Sequence, residues 1–175
     1  MVRHGHAAAG FDADLDPGLD DAGRAEAEAM VEQVASLGPL PIVASPLRRC
    51  RETAAPLEAR WGTAARVDPR VGEIESPGLS DRGPWLRQLM QGEWTGQPAE
   101  LLRWRARVVE ALLEIDTDTV VVSHFVAINV AVGHATEDAR VLCCSPDNCS
   151  VTEMRNDGGR LEVVQLGGQA VTQVR

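Results

Sequence analysis

Thr119-Val120-Val121-Val122-Ser123-His124-Phe125-Val126-Ala127-Ile128-Asn129-Val130-Ala131-Val132 is the stretch from which the chain is best read. Its first four residues are β-branched, and such a run predicts a strand buried on both faces. From about Val126 to Val132 the chain is apolar and free of Gly and Pro, which predicts a helix. A buried strand feeding a helix is the repeating unit of an α/β domain. His124 stands at the junction, at the carboxyl end of the strand, where open α/β sheets place their active sites.

The same alternation continues upstream. Asp20 is placed to cap a helix running to about Leu37, with Ala27, Met30, Val31, Val34 and Leu37 at the helical period and Gly38-Pro39 ending it. Pro41–Ala44 reads as a short apolar strand. Ser45-Pro46 follows as a helix start, Ser45 as cap and Pro46 at the first helical position. Leu47, Cys50, Ala54, Leu57 and Trp61 share one face of that helix. Residues 65–67 predict another short strand, and residues 72–97 a long excursion. Pro98 opens a helix through about Ile115, with Leu101, Leu102, Val108, Val109, Leu112 and Leu113 facing inward. Met1–Arg3 reads as a strand end, and residues 7–19 as a loop. Downstream, residues 150–155 and 161–166 read as two strands joined by Asn156-Asp157-Gly158-Gly159, a hairpin signal. Strands alternating with helices predict an α/β domain with a largely parallel sheet.

Three positions then follow strands: His4, Ser45–Arg49 and His124. In Arg3-His4-Gly5, a neutral imidazole is a good nucleophile toward phosphorus, flanking guanidinium charge favours the neutral form, and Gly5 allows close approach of backbone to a phosphate. In Ser45-Pro46-Leu47-Arg48-Arg49-Cys50-Arg51-Glu52-Thr53-Ala54, a helix start attracts anions and Arg49 can fork onto two phosphate oxygens. At helical spacing Arg48 and Arg51 point away from Arg49 and read as solvated charges. His124 can donate to a phosphate oxygen; taken alone it also fits a satisfied core histidine.

Composition limits the partners. The 175 residues carry 26 acidic and 17 basic side chains, a net charge of −9 and a pI near 4.9. A field of that sign repels nucleic acid and acidic membranes, so an anion site must be built locally. No apolar run reaches the roughly 18 residues of a membrane span. The start, Met-Val-Arg-His, shows no basic-then-apolar leader, which predicts a cytoplasmic location. Cys50, Cys143, Cys144 and Cys149 show no zinc-type spacing, and reduced thiols are expected of them.

Arg-His-Gly at the start, Ser-Pro-x-x-Arg-x-x-x-Thr-Ala around position 50 and Val-Val-Ser-His at 121–124 together resemble the histidine phosphatase (phosphoglycerate-mutase-like) superfamily. Leu19-Asp20-x-x-Gly23 resembles that family's Leu-Thr-x-x-Gly helix start, and Val71-Gly72-Glu73-Ile74 its acid-bearing segment. The resemblance implies a three-layer α/β/α sandwich with a mostly parallel central sheet, as a single domain over residues 1–175. It implies a metal-independent phosphomonoesterase without cofactor, with His4 as nucleophile. Arg3, Gly5, Arg49 and His124 would hold the phosphate, and Glu73 would act as general acid and then base. Glu75, two residues on, is the competing carboxylate. A phosphoglycerate-type mutase, a protein phosphohistidine phosphatase and a silent phospholigand-binding domain are the alternatives, and the partner is a small phosphorylated metabolite or a phosphoprotein.

Four positions depart from the family pattern. Only Met1 and Val2 precede Arg-His-Gly, where the family has a whole strand. His6 stands where Glu or Gln is usual, Gly10 where Asn is common, and Phe125 where Gly often follows the second histidine. The stretch Trp85, Leu86, Leu89, Met90, Trp94 reads as either a lid or a helix on the core edge, and Trp94 and Trp104 as a possible dimer contact.

Overall fold

The computed structural model describes residues 1–10, 13–76 and 82–170. β4 (Val120–Ser123) lies between β1 (Val2–Arg3) and β2 (Ile42–Ala44), with β3 (Arg66–Val67) beyond β2. All three pairings are parallel, with Val2 opposite Val122, Val43 opposite Val121 and Val43 opposite Arg66.

Successive residues of a strand point to opposite faces, and both faces of this sheet are covered. Val2, Ile42, Ala44, Val120 and Val122 pack on one side against α1 (Asp21–Val34) and α2 (Arg48–Trp61), through Ala27, Met30, Val31, Cys50, Ala54 and Leu57. Val43 and Val121 point the other way, into a cluster with α3 (Arg82–Met90), α4 (Ala99–Leu113) and α5 (Phe125–Thr136). The result is the expected three-layer sandwich. Every residue from Phe125 to Gly133 is buried, because α5 has the sheet and α4 on one side and a hairpin on the other. A helix closed in all round has no need of a polar face, which explains its largely apolar sequence; the polar side chain within Phe125–Gly133, Asn129, is hydrogen-bonded to Phe125 O and to the Cys143 and Cys144 N–H groups.

That hairpin, β5 (Glu153–Asp157) and β6 (Arg160–Gln165), forms a separate antiparallel pair. Gly158 and Gly159 turn it with φ of +61° and +91°, a left-handed pair that glycine adopts without Cβ strain. Val163 lies against the cluster of Ile128, Val132 and Cys144.

Four expectations need correction. α2 begins at Arg48 with Leu47 at the cap position, so Ser45 does not cap it; the Ser45 hydroxyl is turned into the site described below. The excursion over 72–97 contains α3, whose Leu86 and Leu89 join Trp94 in the core. That decides the core-edge reading over the lid. Trp94 and Trp104 are both buried, with ring centroids 6.2 Å apart, so they pack the core and present no dimer surface. Leu102, expected inward, is 39% exposed, and Trp104 takes the inward position. The expectations for the loop at 7–19 and the excursion at 72–97 fall in part on residues 11–12 and 77–81, outside the described residues. No described helix is long and apolar enough to cross a membrane.

Candidate active site

The parallel sheet brings the three strand-end segments together. The His4 N–H bonds to Ser123 O at 3.0 Å and the Ser45 N–H to Val122 O at 3.0 Å, so ladder bonds fix where the chain leaves each strand. His4, Ser45, Arg49 and His124 are all buried there. The fourth contributor arrives on the loop after the 3₁₀ turn Pro69–Val71. Ser123 Oγ donates to Val71 O at 2.7 Å and ties that turn to β4. Glu73 follows, its side chain 11% exposed, whereas Glu75 is exposed. Of the two carboxylates, Glu73 is the one brought beside His124 and Arg49.

His4 Nδ1 lies 2.8 Å from Gly5 O. A carbonyl only accepts, so Nδ1 carries the ring proton and Nε2 keeps its lone pair. Arg49 Nε donates to that lone pair at 3.2 Å. The His4 pKa is lowered to about 3, by burial first and then by the Arg49 and Arg3 charges. The imidazole is thus neutral and pointed by its own backbone. His124 stands edge-on to it, ring centroids 5.2 Å apart, and burial followed by the His4 and Arg49 neighbours holds its pKa well below the usual value.

Glu73 Oε2 is 3.6 Å from Arg49 Nη2 and 3.5 Å from His124 Nδ1, while its Oε1 accepts the Ile74 N–H at 2.9 Å. Burial raises its pKa, and the pull of Arg49 offsets only part of that. A carboxyl raised in this way can carry a proton for a leaving group. Arg3 is held by Pro146 O at 2.9 Å and by the face of the Phe125 ring, 5.1 Å from its guanidinium carbon.

A scan against family models matches residues 1–168 to the histidine phosphatase superfamily (branch 1). The chain belongs to that superfamily. It is 33% identical over 118 residues to glucosyl-3-phosphoglycerate phosphatase of Mycolicibacterium vanbaalenii and 32% identical over 118 residues to that of Mycobacterium tuberculosis, in each case over 60% of this chain and 46% of the relative. The chain thus spans about half the length of these curated relatives. Among solved structures, a mycobacterial glucosyl-3-phosphoglycerate phosphatase superposes with a TM-score of 0.78 at 24% identity, over 97% of this chain and 98% of the other. A phosphoserine phosphatase from Entamoeba histolytica superposes with a TM-score of 0.75 at 17% identity, over 94% and 93%. These likenesses establish the fold.

Within the histidine phosphatase frame, the departures acquire local reasons. Phe125 supplies the ring under Arg3. Asp20, in place of the usual Thr, caps α1 by accepting the Gly23 N–H at 2.8 Å, and its other oxygen meets His6 Nδ1 at 2.7 Å. Gly5 plays a different part from the one expected. Its N–H is committed to Thr53 Oγ1 at 3.0 Å, and a Cβ there would sit 2.6 Å from Gly23 O. The glycine lets the loop press against the start of α1, and its N–H is not free for phosphate. Arg48, paired with Glu52 at 2.7 Å, and Arg51 are solvated as expected.

Two features escaped sequence reading. Thr53 bridges the Gly5 N–H and Arg49 O, and the Thr-Ala of the second motif was its only signal. Ser45 Oγ lies 2.7 Å from His124 Nε2. Sequence spacing also shows no metal-ligand cluster, yet the ligand atoms of His4, Glu73 and His124 lie within 4.8 Å of one another. Two neutral imidazoles and a carboxylate are competent cation ligands. The guanidinium groups of Arg3 and Arg49 beside them suit an anion better.

Proposed function

We propose that the protein is a phosphomonoesterase working through a phosphohistidine on His4. The observation that carries this reading is the His4 Nε2 lone pair, neutral and oriented, flanked by Arg49, His124 and a carboxyl of raised pKa. His4 Nε2 forms a bond to phosphorus as the ester P–O bond breaks, and Glu73 gives the leaving oxygen a proton. The ring becomes cationic, and its Nδ1–H remains on Gly5 O. Water then attacks phosphorus, its proton passes to Glu73, and the P–N bond breaks to return neutral His4. Arg3, Arg49 and His124 stabilise the oxygens of the group in flight.

The relatives' names support a small phosphorylated metabolite as substrate, and the net charge of −9 disfavours nucleic acid. The test is hydrolysis of para-nitrophenyl phosphate between about pH 5 and 8 with a chelator present. Turnover should survive chelation and fall at least about a hundredfold in His4→Ala. Chelator-sensitive turnover, or full activity in the variant, would overturn the reading.

A further inference from the structure

We infer that Ser45 sets the tautomer of His124, and so determines which of its nitrogens offers a proton to the phosphoryl group. The inference rests on the phosphatase reading for its purpose, and on hydrogen-bond accounting for its substance. Ser45 and His124 are both fully buried, where a hydroxyl hydrogen without an acceptor is costly. Ser45 Oγ already accepts the Leu47 N–H at 3.3 Å. Among the described residues, the nitrogen or oxygen acceptor within reach of its hydrogen is His124 Nε2, at 2.7 Å. Cys50 Sγ lies on the same side, 3.4 Å from Nε2, but a thiol is a weak acceptor and its own hydrogen faces Ser123 O at 3.4 Å. Ser45 therefore donates to Nε2.

The opposite nitrogen is compatible with that form. His124 Nδ1 faces Glu73 Oε2 at 3.5 Å. An N–H there meets that oxygen favourably, but a protonated Glu73 can itself donate to a lone pair, so Glu73 does not select the form. Ser45 does, placing the lone pair on Nε2 and the proton on Nδ1. In that form His124 is a neutral donor aimed at the space shared with His4. The reverse tautomer would point a lone pair at the incoming phosphate oxygens. Ser45 is thus a positioning residue. It acts through His124 and requires a hydroxyl, since Ala supplies no donor and Thr retains one.

The test reads the tautomer directly. Long-range ¹H–¹⁵N spectra of the ¹⁵N-labelled protein are recorded, with His124 assigned by its loss in His124→Gln. The wild type should show His124 protonated on Nδ1, Ser45→Thr should keep that form, and Ser45→Ala should move the proton toward Nε2. Protonation of Nε2 in the wild type overturns the inference, as does an unchanged tautomer in Ser45→Ala. Kinetics give a second readout: kcat on para-nitrophenyl phosphate should fall about tenfold or more in Ser45→Ala and recover in Ser45→Thr. Equal loss in both variants would assign Ser45 to packing alone. Because the spectra need no turnover, an inactive wild type with Nδ1–H would count against the phosphatase reading and leave the tautomer assignment standing.

Discussion

His4 and Glu73 have pKa values moved toward opposite roles by one cause. Burial disfavours charge, so it lowers the pKa of the histidine and raises that of the carboxyl, which suits the nucleophile and the acid of the proposed reaction. Arg49 strengthens the first effect and weakens the second. Replacing Glu73 by Gln keeps the shape and removes the transferable proton. The kcat of Glu73→Gln should drop about a hundredfold on an alkyl phosphate, whose leaving oxygen needs that proton, and much less on para-nitrophenyl phosphate. Equal losses on the two esters in parallel steady-state assays would remove Glu73 from the acid role. The motif Val71-Gly72-Glu73-Ile74 already favours Glu73 over Glu75, and burial agrees, with Glu73 at 11% exposure and Glu75 exposed.

At the scale of elements, the start of α1 and the Arg-His-Gly loop meet through two glycines. A Cβ on Gly5 would collide with the Gly23 backbone, and one on Gly23 would collide with that of His6. Both obstacles are main chain, which gives way poorly. Gly23→Ala should therefore destabilise by about 1–3 kcal/mol in urea unfolding, and a neutral result would show that the loop can retreat. Phe125 begins α5 and is 8% exposed beneath Arg3. Phe125→Ala should cost about 3 kcal/mol, with a rise in KM as Arg3 loses its support. Helix α1 and the hairpin turn were legible because Asp20 and Gly158-Gly159 act locally. The start of α2 was misread because Ser45-Pro46 carries a good local capping signal, and His124, 79 positions away, claims the hydroxyl instead.

For the whole molecule, buried neutral histidines make stability depend on pH. The folded pKa of His4 is about 3, against 6.5 as the ordinary value, and that of His124 is also well below 6.5. Below about pH 6.5 the unfolded chain binds protons that the folded chain refuses. Stability is accordingly full above that pH and falls as pH drops toward 3. Glu73 has the opposite sign: its raised pKa contributes most below the usual carboxylate value, and that contribution fades as pH rises through the folded value. Urea midpoints taken between pH 4 and 7 should fall with decreasing pH, and the slope should be shallower in His4→Gln. An identical slope would exclude His4 as a source.

By itself, the sequence determined the alternation of strands and helices, since β-branched runs and helical periods are local properties. It also determined the reactive residue types, because Arg-His-Gly, Ser-Pro-x-x-Arg and Ser-His lie at strand ends that a parallel sheet must align. The tertiary structure decided what depends on neighbours distant in the chain. These are the burial of Glu73 beside His124 while Glu75 stays exposed, the commitment of the Gly5 N–H to Thr53, the ring under Arg3 and the serine behind His124. Each is a matter of burial or of a hydrogen-bond partner, and neither is encoded by spacing along the chain.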